Sequence, residues 1–333
     1  MCFIVSFQYI RSCFLSFRAP KMFPSIKGII FALSACFIWG MIFVIPQYMG
    51  DFNCLEVAMG RYSFYGIISA SIFIVEYCRG SCRYPLKIWS KALVFSLMST
   101  FVYYTSVVLA LRFSTPAVTA LILGISPIAI AFYGNWKLKE CSYRSLMLPS
   151  LLILAGLVMI NMPHFTAVDS PLEYVLGLLC SMVALMAWSW YVVANAQFLK
   201  SHPEISSNDW STLMGVTTIL WVGLFGIVLV LFSQDNAPAV HSDWTSFFIG
   251  SAILGFVCSW TGAFLWNRAS YYLPVSLAGQ LTIFETLFGL LFVYSIAQEL
   301  PPLMECLGII LLTGAVIYGI RVSTHSTVQH AIT

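Results

Sequence analysis

Long apolar runs joined by short polar connections dominate this chain. A bilayer core takes roughly 20 apolar residues per helix. Ten stretches reach that length: 28–47, 54–77, 91–111, 116–136, 145–162, 174–197, 210–232, 246–267, 274–295 and 303–321. The connections leave no room for a separate soluble domain. The pattern predicts an all-α membrane protein with ten transmembrane helices.

The apolar sequence also recurs. Gly28 to Phe43 resembles Gly177 to Val192, with Trp39 over Trp188 at the same distance from its glycine. Ala110 to Glu140 lines up without a gap on Ala269 to Glu299. With five spans per copy, an odd number, the second copy is inverted in the membrane. Inverted repeats are how many secondary transporters build two exchangeable gates around one site. The expected division is a segment 1–27, a first five-helix repeat 28–162, a loop 163–173, a second repeat 174–321 and a tail 322–333, polar and without fixed structure.

Lysine and arginine in the loops orient the spans. Arg11, Arg18, Lys21 and Lys27 precede the first; Arg79, Arg83, Lys87 and Lys91 separate the second and third; Lys137, Lys139 and Arg144 separate the fourth and fifth. Lys200, Arg268 and Arg321 fall on the same side, and the opposite loops hold only Arg112. Both termini are expected in the cytoplasm, which requires an even number of spans. Residues 1–21 are apolar but carry Arg11 and Arg18. They read either as an interfacial tail or as an extension upstream of a start at Met22.

Composition narrows the class further. The chain is 60% hydrophobic and 9% charged, against about 25% charged in soluble domains. Most of it is therefore solvated by lipid. The ten cysteines show neither a paired framework nor zinc spacing, and most lie in apolar runs where Cys acts as a small hydrophobe. All five histidines fall in loops or tails, against a haem protein or a His-lined metal channel. There is no Walker loop for nucleotide, no intramembrane nucleophile set and no basic stripe for nucleic acid. These readings disfavour an intramembrane enzyme, so none is expected, and they imply no cofactor or metal.

Trp39-Gly40 in the first span, Arg61 early in the second, and Glu285 with Glu299 in the ninth resemble the motifs of the drug/metabolite transporter superfamily, specifically its EamA family of ten-span carriers. Ser126-Pro127 and Glu140 stand at the corresponding places of the first repeat. Leu152 to Ile160 and Leu311 to Gly319 resemble the family's glycine-bearing fifth helices. The chain departs from the pattern at Thr286, where the second repeat usually has proline, so a bend there falls to Gly279 or Gly289 or is absent. The resemblance implies a central cavity lined by helices one to four and six to nine, with five and ten peripheral. It implies movement of small organic metabolites, often amino acids or related compounds, across the cytoplasmic (inner) membrane.

Glu285 is the leading candidate site residue. It lies twelve residues beyond Leu273, so about 18 Å into its span. A charge at that depth is costly unless paired, protonated or facing water. A substrate-amine contact, a proton-coupling carboxyl and a protonated packing acid all fit. Arg61, two turns into the second span, fits attraction of a carboxylate, a pair with Glu285, or snorkelling outward. Trp39 and Trp188 fit cation–π platforms or plain packing, with Tyr103, Tyr104, Trp190 and Trp260 extending the lining if they point inward. Asn195, Asn267 and Gln280 are amides that need partners in lipid, from substrate or from neighbouring helices. Glu56 is expected at the entrance or the headgroups. Glu140 and Glu299, at the membrane edge, suit a structural or gate role. Gly156, Gly308 and Gly314 are compatible with a homodimer or with lipid contact.

The expected function is secondary transport of a small-molecule substrate by alternating access, coupled to protons or run as exchange. A non-transporting assembly factor or sensor on the same scaffold is the alternative.

Overall fold

The computed structural model describes residues 25–80, 84–140, 142–162, 171–232 and 243–332. Ten long apolar helices account for nearly all of them: α1 (Ile26–Tyr48), α2 (Cys54–Cys78), α3 (Leu86–Phe113), α4 (Val118–Leu138), α5 (Tyr143–Asn161), α6 (Pro171–Ser201), α7 (Ser207–Ile227), α8 (Trp244–Tyr272), α9 (Val275–Ala297) and α10 (Leu303–Arg321). Among the described residues there is no strand. The chain is a multi-pass membrane protein, as its apolar pattern predicts. The questions raised by residues 1–21 lie outside the described residues.

Three boundaries differ from expectation. Helix α3 starts at Leu86, just after Pro85, so Lys87 and Lys91 sit on its first turns rather than in a loop. Pro85 supplies the extended residue a helix start needs. The last helix runs on from Arg321 to Ile332, where no glycine or proline interrupts it. Helix α1 ends in two short 3-10 turns, Met41–Phe43 and Ile45–Tyr48, the second holding Pro46.

The duplication seen in the sequence reappears in the backbone. Helix α3 contains a π segment, Leu97–Val102, and α8 contains another, Leu254–Thr261. Their last residues are 159 apart, the offset that aligns Ala110 with Ala269. The two non-glycine residues with positive φ, Lys139 and Gln298, are separated by the same 159. Packing follows suit: α1 lies on α8 and α9, and α6 lies on α3 and α4. The pairs α2 with α7, α4 with α9 and α5 with α10 each join a helix to its own counterpart. These are the contacts expected of two repeats related by a two-fold axis, and they are consistent with inversion.

Helices α4 and α9 are each broken near the middle. In α4 the break is Ile125, between Pro116–Gly124 and Ser126–Leu138. Pro127 has no N–H to carry the ladder through. In α9 the break is Thr282, between Val275–Leu281 and Ile283–Ala297. There the Thr282 hydroxyl donates to the Gly279 carbonyl at 2.6 Å, a back-bond that bends helices. Of the alternatives left open by Thr286 (a bend at Gly279, a bend at Gly289, or no bend), the helix takes none: its interruption lies at Thr282, three residues beyond Gly279. Gly279 itself is packed against Ile130 and Ala131.

Helices α5 and α10 meet backbone to backbone. A Cβ on Gly156 would sit 2.9 Å from the Gly308 carbonyl oxygen, and one on Gly308 would sit 2.7 Å from that of Gly156. Both glycines are thus consumed inside the chain, while Gly314 meets nothing within 4 Å.

The bundle interior also holds a closed amide network. Asn195 is fully buried; its Nδ2 donates to Asn267 Oδ1 at 2.9 Å, and its Oδ1 accepts from Trp210 Nε1 at 2.7 Å. Asn267 Nδ2 donates onward to Ser211 Oγ at 2.9 Å. This ties α6, α7 and α8 together where lipid offers no substitute partner. Replacing Asn195 by Leu strands the Trp210 N–H and one end of Asn267. An unsatisfied buried group costs about 1–3 kcal/mol, so the Asn195→Leu protein should unfold at clearly lower denaturant in mixed micelles. An unchanged transition would show that the network adds no stability.

Candidate functional site

A cavity of about 770 Å³ lies between the two halves. Its wall includes Trp39, Arg61, Tyr62, Tyr65, Tyr103, Tyr104, Trp188, Tyr191, Trp266 and Glu285. The helix irregularities of the fold all open onto it. Ser99 and Thr100 come from the π segment of α3, and Cys258 and Ser259 from that of α8. Ser126 and Pro127 follow the break in α4, and Glu285 follows the break in α9. A π turn leaves backbone groups out of the regular ladder and is common at functional sites. Here the Cys258 carbonyl accepts from Trp39 Nε1 at 2.9 Å.

Aromatic rings form one wall. Trp39 and Trp188, the repeat counterparts, meet edge to face with centroids 6.0 Å apart. Trp188 also lies 5.2 Å from the Tyr103 ring and 5.5 Å from that of Tyr191. Trp39 continues the set to Trp266 at 5.4 Å. Tyr62 and Tyr104 pack edge to face at 5.8 Å, and the Tyr104 hydroxyl is fixed on the Cys54 carbonyl at 3.1 Å.

Two of the charged groups on the wall, Arg61 and Glu285, are of opposite sign and come from different halves. Arg61 Nε donates to Ser259 Oγ at 2.8 Å, and its guanidinium carbon lies 5.2 Å from the Tyr62 ring centroid. Ser259 Oγ in turn donates to the Leu254 carbonyl at 3.0 Å, so the arginine is oriented through the π segment. Among the described residues, no hydrogen bond or ion pair engages the Glu285 carboxylate. Arg61 and Glu285 share the cavity without forming an ion pair. The 159-residue counterpart of Glu285 is Ser126, also on the wall, so the acid breaks the symmetry of the site.

The structure brings together Glu285, Arg61, Trp39, Trp188 and Tyr104. It does not bring Asn195 or Gln280 to the cavity. Asn195 belongs to the amide network, and Gln280 is buried with its side-chain oxygen against Gly319 of α10. Trp190 packs on Phe95, and Trp260 stacks on Phe256 and Phe264. Glu56 accepts from the Asn53 N–H at 2.8 Å, as part of a capping box that starts α2. Tyr62, Tyr65, Tyr191 and Trp266 line the cavity without a distinguishing sequence signal. Helices α5 and α10 are less peripheral than the resemblance implies: Ile160, Asn161 and Glu305 reach the cavity's far end. There Tyr294 donates its hydroxyl proton to Glu305.

The cavity is open along one half of α4 and α9 and closed along the other. Its wall takes Thr119 to Pro127 from α4 and Thr282 to Glu299 from the α9 region. The remaining halves, Ser126–Leu138 and Val275–Leu281, pack on each other. Every residue from Val275 to Leu281 is buried.

Comparison with known proteins agrees with this architecture. The chain is similar to "Inner membrane protein YtfF" of Escherichia coli (strain K12), 28% identical over 322 residues that span 92% of this chain and 99% of that one. A solved crystal structure shares the fold with a TM-score of 0.69 at 18% identity, covering 87% of this chain and 95% of the other. Residues 26–162 match the model of the EamA-like transporter family. The similarity to that family therefore covers the first five helices of the chain.

Proposed function

We propose that this protein is a secondary carrier of small organic metabolites, amino acids or related zwitterions, working by alternating access in the inner membrane. The observation that carries the reading is the cavity itself. It holds an oriented arginine from one half, an acid whose carboxylate makes no hydrogen bond or ion pair among the described residues from the other, and a wall of tryptophan and tyrosine rings. Its volume is within the range of small-molecule sites. Arg61 suits a carboxylate, Glu285 suits an ammonium group, and the rings hold the apolar part or the cation face. The family match and the relative's inner-membrane name support the setting. No step of the proposed cycle makes or breaks a covalent bond, so the reading is of a carrier rather than an enzyme.

With both termini in the cytoplasm, as the loop charges predict, the open end faces outside and the closed end faces the cytoplasm. Rocking of one repeat against the other then exposes the same site to each side in turn. Glu285 either carries the coupling proton or is neutralised by the substrate amine in an exchange cycle. Counterflow of pooled amino acids into proteoliposomes tests the reading. Protein-dependent accumulation supports it, and a pH gradient that raises net uptake separates proton coupling from exchange. A folded protein that accumulates nothing from any pool favours a non-transporting role.

A further inference from the structure

At the closed end of the cavity a carboxylate bridges the two repeats. Glu140 follows α4, whose last turn ends at Lys139 in the left-handed region (φ 50°), with the Lys139 N–H on the Asn135 carbonyl at 2.7 Å. That turn sends Glu140 to the start of α9. Its Oε1 accepts from the Val275 N–H at 2.8 Å; its Oε2 accepts from the Ser276 N–H at 2.9 Å and from the Ser276 hydroxyl at 2.8 Å. The carboxylate thus satisfies the orphan donors of a helix N-terminus that belongs to the other repeat. Lys200 of α6 reinforces the same end by donating to the Leu273 carbonyl at 2.8 Å.

The repeat supplies a mate to each part. Glu299 is the 159-residue counterpart of Glu140, and it too follows a left-handed residue, Gln298 (φ 55°). Glu299 lines the open end, exposed, and among the described residues its carboxylate makes no hydrogen bond. The counterparts of Val275 and Ser276 are Pro116 and Ala117 at the start of α4. Proline has no N–H, and alanine has no hydroxyl. Of the three donors that hold Glu140, only one, the backbone N–H of Ser276, therefore has a counterpart on the side of Glu299, at Ala117.

We propose that Glu140 and Glu299 are alternating latches of the transport cycle, and that their unequal bonding makes the empty carrier rest closed at the Glu140 end. Glu140 is a positioning residue: it touches no substrate and sets which end of the cavity is open. The proposal rests on the carrier reading above, and its test needs no substrate, so the two fail separately.

The test is amide hydrogen exchange of the substrate-free protein in nanodiscs, read peptide by peptide. In the wild type, residues 275–281 should be slow and residues 116–122 fast. Glu140→Gln should speed exchange over 275–281 by about tenfold or more and slow it over 116–122, because opening one end closes the other. Ser276→Ala, which removes one of the three donors and leaves the charge, should shift both segments in the same directions by less. Glu299→Gln should leave 275–281 as slow as in the wild type. Residues 152–160, in the α5–α10 contact, report folding in every variant. If Glu140→Gln loses protection there too, the Ser276→Ala result decides. Unchanged exchange over 275–281 in the folded Glu140→Gln protein, or in Ser276→Ala where that variant decides, would overturn the proposal. So would faster exchange there without slowing over 116–122, since that is the signature of a merely structural bond.

Discussion

Glu285→Gln is expected to weaken the half-saturating concentration of a carried zwitterion by roughly 10–150-fold. That range corresponds to the 1.5–3 kcal/mol worth of a hydrogen bond to a charged group. The reasoning starts from what the carboxylate lacks. It lies at the start of Ile283–Ala297, just past the break at Thr282, and no side chain of the described residues holds it. A charge within a membrane-spanning segment is costly unless paired, and in the proposed function a ligand cation relieves that cost. Glutamine keeps the shape and the cavity but removes the charge, so packing changes little. Half-saturation of counterflow in proteoliposomes measures the effect. Equal affinity and rate in wild type and Glu285→Gln would remove the acid from substrate recognition. Normal counterflow with loss of pH-driven uptake would move its role from binding to coupling.

The second large effect is on the scaffold. Gly255→Val is expected to destabilise the protein by about 3 kcal/mol, the upper part of the usual range for overpacking. Gly255 lies in the π segment of α8, where it meets α2. A Cβ there would stand 2.8 Å from the Arg61 carbonyl oxygen, 2.8 Å from the Tyr65 nitrogen and 2.6 Å from Phe64 Cβ. Two of these three are backbone atoms, which no rotamer change can move. The helices must part, and they part at the residue that carries Arg61, so ligand affinity should fall together with stability. Gly223→Ala is the control: nothing lies within 4 Å of its added carbon. Thermal unfolding in detergent should show a clear drop for Gly255→Val and almost none for Gly223→Ala. Equal transitions would show that α2 and α8 are not held at this distance in solution.

How much of this was legible in the sequence depends on what the membrane lets a sequence say. The ten spans were legible because lipid demands uninterrupted apolar length. The repeat was legible at Ala110–Glu140 over Ala269–Glu299, and Lys139 and Gln298 adopt the same backbone at that register. Glu285 and Arg61 were legible because charge within a span is rare enough to stand out. The cavity face was a different matter. In a membrane, lipid-facing and core-facing positions are both apolar, so no stripe separates Tyr191, on the cavity, from Trp190, packed on Phe95. The same ambiguity covers the amides: Asn195 and a substrate-binding asparagine look alike until Trp210 and Asn267 are seen around it. The π segments have no sequence mark at all. The break at Thr282 does have one, a hydroxyl three residues after Gly279, but threonine back-bonds regular helices too often for it to decide.

In the proposed cycle the substrate passes through this cavity, so filling the cavity should stop transport. Ala263 lines the cavity from α8 and is only partly buried, so Ala263→Trp places an indole in the space without displacing the core. Counterflow should be measured for wild type and Ala263→Trp at matched protein density, with thermal unfolding confirming that both fold. Accumulation is expected with the wild type, and its loss with Ala263→Trp at similar stability. A folded Ala263→Trp protein that carries substrate as fast as the wild type would contradict it.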